Sequence, residues 1–492
     1  MGAIHHVFVL MLENRSFDHM LGFSKLSGTD AVTGQATTIN GLQGTESNSY
    51  QGKTYACSTP ADYSMTAGPA HEFNDVLEQL CGPRAQYVPN GTYPSINSSG
   101  FVEDYAASGG QQTPGDVMKC FAAEQLPVLT ALARNFVICD NWFSSLPGPT
   151  WPNRFFLLAG SSGGLDHSPT MVEMIAWEGI SGFRFQNGTL FDQKLWWRVY
   201  AGGDLCLAQA LRGMTFADIT PYTRFARDVG DANYPVQFTF IEPNYGHVAS
   251  DYKGGTSQHP IDDVTSGEAL TKVVYETIRN SPIWPTSMLI LTWDEHGGFY
   301  DHVAPPAAVA PGDAPQLSSA SKYGFTFQQY GPRVPGIVIS PLIPANLIDH
   351  RVYDHASVPA TIETLFNLQP MTRRDAGANN LLSLASLKVP RTDAPASLPG
   401  PAKPSSAESV MRGAAMGLPG PAATRPGESV GSDQGMPGFL YVAMRSDLDL
   451  SPPEQRPAIL ARVSAIHTRN DARTYVEEVR QKMQVARARA TN

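Results

Sequence analysis

Four stretches of the sequence carry side chains with chemistry to offer. The first is Glu13-Asn14-Arg15-Ser16-Phe17-Asp18-His19, directly after an apolar run. Glutamate and asparagine oxygens are hard donors that suit a divalent cation. The plainer reading is a strand end followed by a capped helix, with Arg15 paired to Glu13. The second stretch is Trp293-Asp294-Glu295-His296-Gly297-Gly298-Phe299-Tyr300-Asp301-His302. Two adjacent carboxylates after a buried strand are costly unless something positive binds them. The third runs from Ser144 to Arg154, where Pro147, Gly148, Pro149 and Pro152 surround the hydroxyl of Thr150 and a helix is expected to open at Asn153. A helix start favours an anion, but a hydroxyl needs a base or a metal before it becomes a nucleophile. The fourth comprises His71, in GPAHEFNDV, and the region His247 to His259, in which Pro260 and two aspartates follow His259. Acidic ligands at two strand ends, a constrained hydroxyl at a third, and histidines from the loops between them are equipment for metal-assisted displacement at phosphorus or sulfur.

The elements that must position these residues are legible as short apolar runs. Val7–Leu12, Phe136–Cys139, Phe238–Ile241, Met288–Thr292 and Gly336–Ile339 are each followed by polar side chains. Continuous runs of this length suit strands buried on both faces of a parallel sheet, and ligands of open α/β sheets bind at the carboxyl ends of such strands. Helices are expected over 126–135, over 266–280 with Ser266 as cap, and over 358–368. Residues 24–115, rich in Gly, Ser, Thr and Asn, show no periodicity and read as an irregular insertion or lid. The expected organisation is a catalytic domain over 1–388, a Pro/Gly/Ser-rich linker over 389–438, and a small helical segment over 439–492, in which 453–488 read as a helical hairpin.

Composition narrows the function. The 492 residues include 35 Lys and Arg against 45 Asp and Glu, a net charge of −10 that argues against a general nucleic-acid binder. Aromatic residues at 10% exclude disorder throughout. The five cysteines, Cys57, Cys81, Cys120, Cys139 and Cys206, contain no CxxC pair; they leave open one loop disulfide, Cys57 to Cys81, or free buried thiols. No stretch has the ~18 apolar residues of a membrane span. The N-terminus lacks the basic start and cleavage site of a signal peptide, which points to a cytosolic protein or a removed leader.

The segments IHHVFVLMLENRSFDHMLG, SSLPGPTWPNRFFLLAG, QHPIDDVTSGE and LTWDEHGGFYDHVAPP, in that order, resemble the bacterial phosphoesterase family. That family includes phosphatidylcholine-type phospholipases C, their plant non-specific relatives and a bacterial acid phosphatase, and it lies in the alkaline phosphatase superfamily. The resemblance runs from about residue 3 to 385. It implies an α/β/α sandwich with a mostly parallel central sheet and a metal site at the strand ends. Glu13, Asn14, Asp294 and Glu295 would be metal ligands, joined by Thr150, the family nucleophile. His71 and His259 would lie around the phosphate, a protonated His259 serving the leaving group. Asn153, Trp151, His302 and His355 also fall in family motifs and are expected to line the substrate. Oxygen ligands favour Ca²⁺, Mg²⁺ or Mn²⁺, while superfamily relatives use Zn²⁺.

The expected activity is hydrolysis of a glycerophospholipid to diacylglycerol and a phosphorylated headgroup through a phosphothreonine intermediate, with transient contact at a membrane surface. Threonine within GPTWPNR resembles the phospholipases rather than the acid phosphatases, which carry serine. Trp142, Trp151, Tyr245 and Phe299 are candidates for a cation–π box around a quaternary ammonium, or for plain core packing. Thr256-Ser257-Gln258 departs from the family's Asn-Asp before His259-Pro260. The competing readings are a broad phosphomonoesterase and a non-catalytic binding protein on the same fold.

Overall fold

A computed structural model of the chain describes residues 3–178, 181–248, 252–315, 320–403 and 436–490. The strands are β1 (His6–Leu12), β2 (Ser27–Asp30), β3 (Ala36–Thr38), β4 (Ser47–Tyr50), β5 (Lys53–Ala56), β6 (Val137–Cys139), β7 (Trp197–Ala201), β8 (Ile219–Pro221), β9 (Phe238–Glu242), β10 (Ser287–Trp293), β11 (Gly336–Ile339) and β12 (Leu347–Asp349). The helices are α1 (Phe17–Leu21), α2 (Phe73–Cys81), α3 (Phe101–Ser108), α4 (Pro127–Asn135), α5 (Thr150–Ala159), α6 (Met171–Glu178), α7 (Phe225–Val229), α8 (Val264–Arg279), α9 (Ser357–Phe366), α10 (Arg373–Gly377), α11 (Met436–Asp449), α12 (Arg456–Ser464) and α13 (Arg469–Ala490).

Ten strands form one sheet in the order β3-β2-β12-β6-β11-β10-β1-β9-β7-β8. Only β2–β3, β6–β11 and β10–β11 pair antiparallel, so the sheet is mostly parallel. Every residue of β10, and β1 from Val7 onward, is buried. Both faces of the central strands are therefore covered, which is why their sequences are continuous apolar runs rather than alternating ones. Helices α4, α7 and α8 pack as one group, and α5, α9 and α10 as another. The architecture is the expected α/β/α sandwich.

The register at the centre positions the chemistry. β1 and β10 run parallel and in step, from His6 opposite Ser287 to Leu12 opposite Trp293. Both strands end at the same level, and Glu13-Asn14 and Asp294-Glu295 emerge side by side.

Several expectations are corrected. Residues 24–115 are not an irregular insertion: β2 and β3 extend the main sheet through β12, and β4 and β5 form a hairpin. Helices α2 and α3 in that stretch pack around a second apolar core containing Val76, Leu80, Phe101 and Tyr105. Short polar strands give little alternation of their own, and an existing sheet edge supplies the partner that makes them strands. All five cysteines are free. The Cys57 thiol lies against Cys120 rather than Cys81, and that neighbour, together with burial, pushes the Cys120 thiol up. Helix α8 is capped by Asp263, which accepts from Thr265 N at 2.9 Å, not by Ser266. Helix α5 opens at Thr150, not at Asn153.

The tail is also different. Residues 389–403 are not a loose linker but a strap along α8. Lys272, Tyr275 and Arg279 donate to the carbonyls of Leu398, Pro395 and Ala394, and Glu276 accepts from Leu398 N. Residues 404–435 of the expected linker lie outside the described residues. The segment beyond contains three helices: α12 and α13 occupy the stretch 453–488 read as a hairpin, and α11 precedes them. Its first, α11, starts at Met436 and is buried through Leu448 as part of the main core.

Candidate active site

Asn14 follows β1 with φ 62°, a left-handed conformation that asparagine tolerates better than most residues. The turn lets Asn14 N donate to Asp294 Oδ1 at 3.0 Å and Arg15 N to the Glu295 carbonyl at 3.0 Å. Gly297 completes the opposite turn at φ 66°, where a Cβ would lie 2.1 Å from the Asn14 carbonyl oxygen; only glycine fits there. The Asn14 amide nitrogen bonds Glu295 Oε1 and lies 3.1 Å from His71 Nε2. His71 is carried by the turn before α2, its Nδ1 3.0 Å from the Pro69 carbonyl.

Glu13, Asp294 and Glu295 are all buried. Arg154 serves the first two: Nε donates to Asp294 Oδ2 at 2.9 Å, and Nη2 lies 3.9 Å from Glu13 Oε2. Nη2 also donates to the Leu12 carbonyl at 3.2 Å. Arg154 stands one helical turn beyond Thr150 on the same face of α5. It therefore latches the start of α5, with the half-buried Thr150 as its first residue, against the ends of β1 and β10.

Burial pushes Glu13 up to about 8 despite the opposing charge of Arg154. Burial likewise pushes Asp294 up to about 6. Glu295 lies below the usual range, because the His71 charge and bonds from His296 and Gly297 N outweigh its burial. His71 is raised, since Glu295 and the Pro69 carbonyl outweigh burial. Arg154 is shared by Glu13 and Asp294, while Glu295 leans on His71, so the first two carboxylates have one guanidinium between them. Their oxygens fit a hard divalent cation.

The loop carrying His259 is tied to the same edge. Glu13 N donates to the Ser257 carbonyl at 3.0 Å, and Arg15 Nε donates to the Gln258 carbonyl at 2.9 Å. The departure at Gln258 has a structural role: its amide donates to the Val264 carbonyl and accepts from Trp293 Nε1. His259 Nδ1 accepts from Ile261 N at 3.4 Å, which leaves the ring proton on Nε2. Burial, with the charges of His71 and Arg15, lowers His259 to about 3. In the free protein that surrounding disfavours the protonated form expected of His259.

Four predicted substrate contacts are placed otherwise. Asn153 is fully buried, and its amide donates to the carbonyls of Leu146, Gly148 and Pro149, clamping the loop before Thr150. Trp151 points into the core against Phe155, Phe183 and Gly438. His355 accepts from Trp142 Nε1 at 3.4 Å and donates from Nε2 to the Asp294 carbonyl at 2.6 Å, so both nitrogens are used inside the protein. His302 lies 2.6 Å from Asp18 Oδ2 and belongs to a separate network with Arg333 and Asp301. Asp18, Asp301 and His302 have ligand-type atoms within 4.8 Å of one another. There, however, Arg333 donates to Asp18 at 2.9 Å and to Asp301 at 2.8 Å and already supplies the counter-charge. The four side chains are held by groups of the protein itself and build the scaffold.

Sequence reasoning missed Arg154, whose signal is its spacing of four from Thr150. It also gave no role to His296, buried with Nε2 2.6 Å from Gln79 Oε1.

A family model described as Phosphoesterase family matches residues 4–369. The chain is 35% identical over 424 residues to non-specific phospholipase C6 of Arabidopsis thaliana, covering 80% of this chain and 75% of that one. It is 32% identical over 413 residues to non-specific phospholipase C3 of the same plant, covering 80% and 76%. It is 27% identical over 439 residues to phospholipase C B of Mycobacterium tuberculosis, covering 82% and 80%.

Proposed function

The chain belongs to the phosphoesterase family, and on that premise we propose that it is a metal-dependent phosphodiesterase of the phospholipase C type. Its substrate would be a glycerophospholipid, cleaved to diacylglycerol and a phosphorylated headgroup. The observation that supports this most is the in-step register of β1 and β10, which brings Glu13, Asn14, Asp294 and Glu295 to one edge with the start of α5 latched over it. Relatives named phospholipases C, from a plant and a bacterium, support the diester.

Glu13, Asn14, Asp294 and Glu295, with the Thr150 hydroxyl, would hold the divalent cation. When bound, such an ion lowers the pKa of a coordinated hydroxyl and neutralises phosphate oxygens. Thr150 Oγ, its proton given up to solvent, attacks phosphorus in line with the glycerol oxygen; the Oγ–P bond forms as the P–O bond to diacylglycerol breaks. Its position at the first turn of a ten-residue helix points backbone N–H groups and the positive dipole end at the phosphate. His71, held toward its charged form by Glu295, donates to a phosphate oxygen. A phosphate arriving beside His259 favours the imidazolium, so that Nε2 can protonate the departing alkoxide. Water then attacks the phosphothreonine from the opposite side and gives a proton to His259 as the P–Oγ bond breaks, which releases the phosphorylated headgroup and returns the Thr150 oxygen as alkoxide.

The test is hydrolysis of p-nitrophenyl phosphorylcholine beside p-nitrophenyl phosphate with added divalent ions, for wild type and Thr150→Ala. Diester cleavage that disappears in the variant supports the reading, as does acid-stable phosphate on Thr150 after a rapid quench. Preference for the monoester would make the protein a phosphomonoesterase. Turnover of neither, with intact cation binding, would leave a binding protein.

A further inference from the structure

The His259 ring accepts a long hydrogen bond from Ile261 N, 3.4 Å, and a bond of that length leaves the ring free to tilt. What lies on its face is Tyr252: the two rings are 4.4 Å apart between centroids and 10° from parallel. Tyr252 itself sits at φ 55°, a left-handed conformation that a bulky side chain rarely adopts. Such a conformation persists where the surroundings over-determine it.

Part of those surroundings comes from the C-terminal helices. Phe439, in the first turn of α11, packs its ring 6.5 Å from Tyr252 and 5.1 Å from Tyr245. Tyr245 in turn lies beneath Arg154, whose guanidinium carbon is 5.4 Å from the ring centroid. Next to Phe439, Gly438 seats directly on the indole of Trp151; a Cβ there would be 2.2 Å from the ring. From α13, Arg480 donates to the Gly246 carbonyl at 3.0 Å and holds the near end of the loop that carries Tyr252. Phe439 is thus wedged between the aromatic ring that backs His259 and the one that backs Arg154.

We propose that Tyr252 is a positioning residue that sets the plane of the His259 ring, and that Phe439 of the C-terminal helix is the wedge that keeps Tyr252 in place. The role of His259 in leaving-group departure rests on the proposed function; the stacking does not. A group that must hand a proton to a departing oxygen loses rate steeply with small misplacement.

The experiment uses the full chain and two readouts. The first needs no activity: the ring Cε1–H resonance of His259 in histidine-labelled protein, assigned with His259→Gln. A stacked tyrosine shifts it upfield. Tyr252→Asn removes the ring with a residue that tolerates the same backbone, and the signal should move downfield. Tyr252→Phe should keep it in place, and Phe439→Ala should move it part of the way. The second readout is turnover. Tyr252→Asn should lower kcat by about 10- to 100-fold with KM within about twofold, and Tyr252→Phe should restore it. The double variant with Phe439→Ala should be no worse than Tyr252→Asn alone. An unmoved His259 resonance or unchanged kcat in Tyr252→Asn overturns the positioning role. An unmoved resonance in Phe439→Ala, or a fully additive double variant, overturns the wedge. If wild type cleaves no phosphoester, the proposed function fails, and the resonance still decides the stacking.

Discussion

Glu13 and Asp294 share the guanidinium of Arg154, which bonds one and lies within ion-pair distance of the other. Removing one partner from a buried charge cluster leaves uncompensated charge in a medium that solvates it poorly. Arg154→Met should therefore lower stability by about 3–5 kcal/mol, read from denaturant midpoints in the presence of a chelator. The same deficit of positive charge predicts the response of the wild type to metal. A divalent ion bound only by the folded state adds stability as its concentration exceeds Kd, about 2.7 kcal/mol at a hundredfold excess. Titrating Mg²⁺, Mn²⁺ or Ca²⁺ should raise Tm in the wild type and markedly less in Asp294→Asn. Equal increments in both would remove Asp294 from the ligand set.

The loop before α5 is held by the Asn153 side chain through three carbonyls and one backbone N–H, that of Leu146. Asn153→Ala strips these bonds from buried backbone groups, and a cost of about 2–3 kcal/mol is expected with a fall in kcat, since the loop ends in Thr150. At the junction of α9 and α10, burial and the neighbouring Asp375 push Glu363 up to about 9, against bonding from Met371 N. The folded protein thus keeps a proton on Glu363 that the unfolded chain has lost above its value of 4.5. Stability from this group falls as pH rises from there to about 9 and is level beyond. Glu363→Gln removes the slope, so the variant should gain on the wild type in urea midpoints as pH rises across that window. A constant difference would show that the carboxyl is already ionised at its lower end.

At the scale of the molecule, the C-terminal helices are part of the body. Helix α11 contributes Met436, Leu440, Tyr441, Val442 and Met444 to the main core, and α13 contributes Tyr475, Val476 and Val479. Truncation after residue 403 should expose the apolar surface around Trp151 and Phe183. The expected outcome is loss of the monodisperse peak in size-exclusion chromatography together with loss of turnover. A soluble, fully active truncation would show that the tail is dispensable. Gly438→Ala is the gentler probe, since its added methyl meets the Trp151 ring; it should cost about 1–3 kcal/mol.

Local pattern in the amino-acid sequence determined a good deal. The apolar runs of β1, β9 and β10 announce strands buried on both faces, because a doubly covered strand needs no polar side. Glu13-Asn14 and Asp294-Glu295 behind two of them, Thr150 in its proline-rich loop and the order of the four motifs carried the family. Weakly patterned strands such as β2 and β7 were not legible, because their partners make them strands. Only the tertiary structure decided the rest. It set β1 and β10 in step, captured Asn153, Trp151 and His355 for the scaffold, placed Cys57 against Cys120, and seated the tail on the catalytic core. Periodicity reports which face of an element is apolar; which element meets that face is settled by packing between segments far apart in the chain.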